Sequence, residues 1–114
     1  MQVNKVQNNQ LTFGIKISPN LIKAADEFYK RQNNGQAQFD KFLKKAKIME
    51  ENFGYNEYTI DFKNTKVNSK RVKALFAVKD DKSKRVLLAY KSGFRKLLDR
   101  FNLINEFELN NKLL

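Results

Sequence analysis

Residues 71–96 read RVKALFAVKDDKSKRVLLAYKSGFRK, and this stretch decides the fold of the chain. Apolar side chains recur at every second position over Val72–Val78, which is the period of a β-strand, while Lys73 lies on the opposite face. The polar run 80–83 is typical of a turn. The consecutive apolar residues within Arg85–Tyr90 are typical of a central strand that is covered on both faces. We therefore predict two neighbouring antiparallel strands here.

Two further stretches alternate in the same way. Tyr58–Phe62 precedes these strands and is joined to them by a polar connection over Asn64–Lys70, so the middle of the chain is predicted to be a three-stranded meander. Near the N-terminus, Leu11–Ile17 also alternates and predicts a fourth strand, which Gly14 slightly weakens. The sheet is therefore expected to be mainly antiparallel.

Three helices are predicted around these strands. Ser18 can cap free backbone N–H groups and Pro19 suits a first helical position, so helix one is expected from Pro19 to about Arg31. A stripe of apolar residues at helical spacing marks helix two, and Gly54 is expected to end it in a left-handed conformation. The stripe consists of Phe39, Phe42, Leu43, Ala46, Met49 and Phe53. Helix three is expected to begin at Phe94 and to continue toward Leu109.

These elements predict one α+β domain over residues 11–114, in the order β-α-α-β-β-β-α, with helices packed on one face of the sheet. Residues 1–10 show no hydrophobic period and are expected to be a flexible leader. The chain of 114 residues is too short for two ordinary domains. The residues expected in the core are Phe39, Phe42, Leu43, Met49, Ile60, Phe62, Phe76, Val78, Leu88 and Phe101.

The composition excludes much chemistry. The sequence contains no Cys and no His, which excludes disulfides, zinc sites with nitrogen or sulfur ligands, and nucleophiles activated by histidine. Its four glycines do not form a phosphate-binding or dinucleotide-binding motif, so no cofactor and no metal are expected. Any catalysis would depend on Lys, Arg, Tyr, Asp or Glu.

The charge is high and unevenly distributed. The formal net charge is +11, and residues 63–100 contain thirteen Lys and Arg against three Asp. A charge excess gathered in one part of a folded domain favours nucleic acid or an acidic protein surface as the partner. The alternative is a solvated, Lys-rich surface with no specific ligand.

A set of residues on and after the last two strands could bind phosphate groups. The predicted nucleic-acid-binding residues are Lys73, Tyr90, Lys91, Arg95 and Lys96. Cations can contact phosphates, and an exposed Tyr can stack on a base. If the protein cleaves RNA, Lys73 and Arg95 are the predicted catalytic residues, because cations can stabilise the charge that develops on the phosphate. The alternative is an edge strand that carries Lys to prevent aggregation.

The segment 71–96, together with the order of elements over residues 11–100, resembles the RelE/ParE superfamily of small toxins. The resemblance implies a fold with a concave sheet face, and in the ribosome-dependent members of the superfamily this face carries Lys, Arg and Tyr and acts on messenger RNA. Lys73 stands where the family has a strand arginine, and Lys91, Arg95 and Lys96 fall near its basic pair. Phe101 or Phe107 stands nearest to the C-terminal Tyr or His of several active members.

The leading hypothesis is therefore a small, basic RNA-binding protein. In its most specific form, the protein is a ribosome-associated endoribonuclease toxin that has an acidic antitoxin as its partner. The alternative hypotheses are a non-enzymatic module that binds protein or DNA, and an accessory protein of bacterial or phage origin. The N-terminal residues do not resemble a signal peptide, and no apolar run reaches the ~20 residues of a membrane span. We therefore expect no membrane partner and a cytoplasmic location.

Overall fold

The computed structural model of the protein describes residues 13–114. The elements, in chain order, are β1 Lys16–Ile17, α1 Pro19–Tyr29, α2 Gly35–Asn52, β2 Tyr58–Val67, β3 Lys70–Lys79, β4 Arg85–Lys91, α3 Phe94–Leu103 and α4 Glu106–Leu113. The expected α+β class and the order β-α-α-β-β-β-α are confirmed, with one additional helix at the C-terminus. None of the helices in this range is long and apolar enough to cross a membrane.

The four strands form one sheet in the order β1-β2-β3-β4. Strand β1 pairs with β2 in parallel, and β2, β3 and β4 form the predicted antiparallel meander. The prediction that Arg85–Tyr90 is a central strand is wrong, because β4 is the last strand of the sheet among the described residues. Its continuous apolar run has another cause. A β-bulge beside Leu75 and Phe76 shifts the register, so that Leu88 has no directly opposite residue and joins the core.

The hairpin between β2 and β3 is longer than the sequence indicates. The predicted connection over Asn64–Lys70 is instead mostly strand, and the ladder continues to the pair Val67 and Lys70. Asn68 and Ser69 form the two-residue turn with φ angles of 52° and 68°. Two consecutive left-handed residues fit the right-handed twist of a hairpin, and Asn is well suited to this conformation. The hairpin was missed because its flanks are polar and its turn contains no Gly.

The N-terminal strand is shorter than predicted. Only Lys16 and Ile17 pair with β2. Leu11, where the strand was predicted to begin, and the predicted leader over residues 1–10 lie outside the described residues. Ile15 is fully buried as the alternation requires, but Phe13 is 75% exposed. The chain leaves the sheet at Gly14, whose backbone N–H donates to the carbonyl oxygen of Glu50 at 2.9 Å.

The helix ends agree with the sequence only in part. The Ser18 hydroxyl accepts hydrogen bonds from the N–H groups of Asn20 and Leu21 at the start of α1, as predicted. The prediction that Gly54 is left-handed is wrong: the left-handed residue after α2 is Tyr55, with a φ of 74°. Gly54 instead donates its N–H to the Glu106 carboxylate at 2.9 Å, which ties the end of α2 to α4.

The predicted C-terminal helix is interrupted. Helix α3 ends at Leu103, and Ile104 adopts an extended conformation that places its side chain in the core. Asn105 then caps α4 by accepting a hydrogen bond from the N–H of Glu108 at 2.8 Å. An ion pair between Arg100 and Glu108 holds the two helices together. The break therefore has its own capping residue, and it allows α4 to fold back onto the domain.

The core lies between the helices and one face of the sheet. Five of the predicted core residues are buried, namely Phe42, Met49, Ile60, Leu88 and Phe101, while Phe39 and Phe62 are half-buried against this core. The prediction is wrong for Leu43, which is 37% exposed at the margin of the α2 stripe. It is also wrong for Phe76 and Val78, which lie on the opposite face of the sheet and do not belong to the core cluster.

Glu50 makes the stability of this core depend on pH. Its carboxylate is half-buried and accepts a long hydrogen bond of 3.4 Å from the N–H of Ile17. Burial raises the pKa of Glu50 above its ordinary value, the Ile17 N–H opposes this, and the neighbouring Glu51 adds to it. The folded protein therefore retains this proton to a higher pH than the unfolded chain does, and stability falls as the pH rises from the unfolded pKa through the folded one.

We expect the Glu50→Gln variant to lose less stability than the wild-type protein between pH 4 and pH 7, because the amide does not ionise. Urea unfolding at the two pH values measures the difference. Glu27→Gln is the control, since Glu27 is exposed on α1. Identical pH dependence in the wild-type protein and the Glu50→Gln variant would contradict the prediction.

Candidate nucleic-acid interface

The sheet has one face covered by helices and one face without such a cover. Side chains alternate along a strand, and residues that pair in register project to the same side. Ile60 and Ala77 pair with each other, and both belong to the core, which defines the covered face. The residues that alternate with these along each strand project to the other side. We call this the open sheet face and define it by Lys63, Phe76, Arg85, Leu87 and Tyr90.

Phe76 lies at the centre of the open sheet face between two cations. The Lys63 ammonium nitrogen lies 5.8 Å from the centroid of the Phe76 ring, and the Arg85 guanidinium carbon lies 5.2 Å from it. Both distances allow cation–π attraction, which orients the positive groups around the ring. In β4, Leu87 pairs with Phe76 and is 42% exposed. The face therefore combines an aromatic centre with positive charge at its margins.

Tyr90 adds a second ring to the open sheet face. It pairs in register with Ala74, which in turn pairs with Lys63 on β2. The methyl group of Ala74 is too short to cover either neighbour, and the Tyr90 side chain is 45% exposed. The Asp61 side chain also projects from the open sheet face. Its carboxylate accepts hydrogen bonds from the Asn20 side-chain amide at 3.2 Å and from the backbone N–H of Phe62 at 2.8 Å.

A second positive region lies at the free end of the sheet on the covered side. Lys73 and Lys91 pair in register, so the structure brings these two predicted residues together. Lys73 also donates to the Asn64 side-chain oxygen at 2.6 Å. A groove of about 420 Å³ begins here. We call it the cationic groove, and its lining residues are Asn64, Thr65, Lys66, Arg71, Val72, Lys73 and Ser92.

The remaining predicted residues lie in the first turn of α3. Arg95 donates to the side-chain oxygens of Gln32 and Gln38 at 2.7 and 3.4 Å, and its guanidinium carbon lies 5.7 Å from the Phe28 ring centroid. Arg95 therefore connects α3 to the region between α1 and α2. Lys96 is exposed beside it. Burial raises the pKa of the nearby Tyr29 hydroxyl; Asp99 adds to this shift and Arg95 opposes it.

The predicted site residues thus occupy three places. Lys73 lines the cationic groove and pairs with Lys91, Arg95 and Lys96 lie in the first turn of α3, and Tyr90 projects from the open sheet face. Tyr90 and Lys91 are neighbours in one strand, so they necessarily project to opposite faces. Sequence reasoning missed six residues that complete the two surfaces, namely Lys63, Lys66, Arg71, Phe76, Arg85 and Leu87.

A signal for Phe76 did exist. Positions 74–78 of β3 are all apolar, so either face of this strand could have been the covered one. The cation at position 66 was hidden because the stretch Asn64–Lys70 was interpreted as a connection, and Lys63 and Arg71 stand directly before and after that stretch. Within residues 13–114, no cluster of three or more acidic side chains is placed to bind a metal ion. No protein-family model, curated protein or solved structure matches the chain.

Proposed function

We propose that the protein binds single-stranded RNA on the open sheet face. The observation that carries this proposal is the placement of Phe76 between Lys63 and Arg85, one step from the exposed ring of Tyr90. Unpaired bases stack on aromatic rings, and the adjacent cations can contact the phosphates of the same strand. A duplex offers no free base faces to such a surface, so a single strand is the ligand that it fits.

The resemblance to the RelE/ParE superfamily supports RNA as the nucleic acid, because the ribosome-dependent members of that superfamily use a sheet face with Lys, Arg and Tyr on messenger RNA. The cation distribution supports binding more than cleavage. The two predicted catalytic residues have different partners, since Lys73 contacts Asn64 whereas Arg95 contacts Gln32 and Gln38. A cleaving site needs its cations directed at one phosphate. We therefore propose binding without cleavage as the function.

Replacing Phe76 and Tyr90, the two rings of the open sheet face, tests the proposal. We expect the double variant Phe76→Leu/Tyr90→Leu to bind oligouridine at least tenfold more weakly than the wild-type protein, because stacking contributes about 1–3 kcal/mol per base. Leucine retains apolar volume, so the sheet should remain folded. Fluorescence anisotropy of a labelled oligouridine at fixed salt measures the affinity, and circular dichroism during heating measures folding.

Phe107→Leu is the matched control, because this ring is 73% exposed on α4 and lies outside the open sheet face. It should leave the affinity unchanged. Wild-type affinity in the folded double variant would contradict stacking on the open sheet face. Absence of RNA binding by the wild-type protein at low ionic strength would contradict the whole proposal and favour an acidic protein as partner.

The integrity of the RNA after incubation distinguishes binding from cleavage. Free RNA and messenger RNA on translating ribosomes should both be recovered intact. Fragments that the wild-type protein produces, and that Lys73→Ala and Arg95→Ala abolish, would instead identify an endoribonuclease of the type that the resemblance implies.

A further inference from the structure

We propose that the RNA strand does not end on the open sheet face but passes the end of β4 at Tyr90 and continues into the cationic groove on the other side. This inference rests on the proposed function and adds to it a second contact region and a minimum ligand length. Its evidence is the charge and the shape of the β2–β3 hairpin, together with the position of Tyr90 at the end of β4.

The hairpin concentrates positive charge without acidic partners. Residues 63–73 contain five Lys and Arg and no Asp or Glu. Lys66 pairs with Arg71 in register, and Lys73 pairs with Lys91, so like charges lie directly opposite each other on one face. Such pairs destabilise a sheet when no anion separates them. Within residues 13–114 these four cations form no ion pair. A bound polyanion would remove this repulsion.

The groove is accessible because β4 is shorter than the hairpin. The last residue of β4, Lys91, pairs with Lys73, and beyond this pair the hairpin continues as a two-stranded ribbon to its turn at Asn68 and Ser69. At about 3.4 Å per residue, this ribbon extends roughly 13 Å past the last pair with β4. A flexible single strand can bend around the end of β4, whereas a stiff duplex cannot follow so short a path.

The path from one face to the other is short. Tyr90 projects from the open sheet face, and the next residue, Lys91, projects to the side of the cationic groove. A base stacked on Tyr90 therefore places the following phosphates near Lys91 and Lys73. Farther along, Arg71 offers a planar guanidinium that can bind a phosphate through two parallel hydrogen bonds. The Asn64 amide and the Ser92 hydroxyl, both in the lining, can donate to the same oxygens.

Comparing the salt dependence of affinity for a short and a long probe distinguishes this proposal from non-specific electrostatic attraction. The probes are labelled oligouridines of about four and about twelve nucleotides, both within the usual range of single-strand site sizes. The test variant is Lys66→Gln/Arg71→Gln/Lys73→Gln. We expect it to reduce the slope of log affinity against log salt by roughly 2 for the longer probe, at about 0.7 per lost phosphate contact. For the short probe, which the open sheet face alone accommodates, we expect no change of slope.

The matched control is Lys41→Gln/Lys44→Gln/Lys47→Gln, which removes the same amount of charge from the exposed side of α2. It should leave both slopes unchanged. Equal losses for the two probes in the test variant, no loss for either, or the same loss in the control would each overturn the proposal. These results leave RNA binding by the wild-type protein intact, so they are distinguishable from failure of the proposed function. Heating curves of both variants verify that they are folded.

Discussion

Replacing Phe42 with alanine is expected to lower the free energy of unfolding by about 3–5 kcal/mol, the largest effect of a single substitution predicted for this protein. The Phe42 side chain is fully buried. Its ring lies 4.9 Å from that of Phe101 and 6.1 Å from that of Phe39, measured between ring centroids. It thus connects α2 with α3, and its removal leaves a cavity between the two helices.

Urea unfolding followed by circular dichroism measures this loss. Leu43→Ala is the control, because Leu43 is the next residue on the same helix but lies at the margin of the core. It should cost clearly less than Phe42→Ala, since Leu43 is smaller than Phe42 and 37% of its surface is already exposed to water, whereas Phe42 is fully buried. Equal losses at the two positions would contradict the arrangement of α2 described above.

The second large effect is expected at Gly14. A Cβ atom at this position would overlap the backbone carbonyl groups of Met49 and Phe53 at the end of α2. Backbone groups cannot move aside as a flexible side chain can, so Gly14→Ala must displace either the N-terminal segment or the last turn of α2. We expect a loss of about 1–3 kcal/mol or more in the free energy of unfolding.

Gly93→Ser is the control for this prediction. A Cβ atom at Gly93 would meet no other atom within 4 Å, and serine is a favoured residue at the N-cap of a helix, here α3. This variant should be as stable as the wild-type protein or more stable. If Gly14→Ala unfolds at the same urea concentration as the wild-type protein, the close approach of residue 14 to α2 is incorrect.

The two proposed surfaces also give the chain's charge a specific interpretation. The open sheet face holds cations beside aromatic rings, and the cationic groove holds cations beside hydrogen-bond donors at the end of the sheet, beyond the core. In the alternative of a solvated, Lys-rich surface, cations at these positions and on α2 would contribute alike to RNA affinity. The charge-matched variants on the hairpin and on α2 distinguish the two interpretations.

The sequence by itself determined the types and the order of the elements from β1 to α3, whereas α4 was not predicted as a separate helix. Apolar periods of two and 3.6 are local properties, and they correctly indicated β2, β3, β4 and the helices α1 to α3. The Ser18–Pro19 signal located the start of α1, because capping depends only on adjacent residues. The same local information identified the cations at positions 73 and 91, whose proximity follows from antiparallel pairing of neighbouring strands.

Only the tertiary structure decided which face of the sheet is covered. Residues 74–78 are apolar on both faces of β3, so the choice between Phe76 and its neighbours Leu75 and Ala77 depends on where the helices pack. The bulge in β4 depends on the same packing, because it turns Leu88 into the core while Leu87 remains outside. Phe76 is therefore the centre of the open sheet face instead of part of the core.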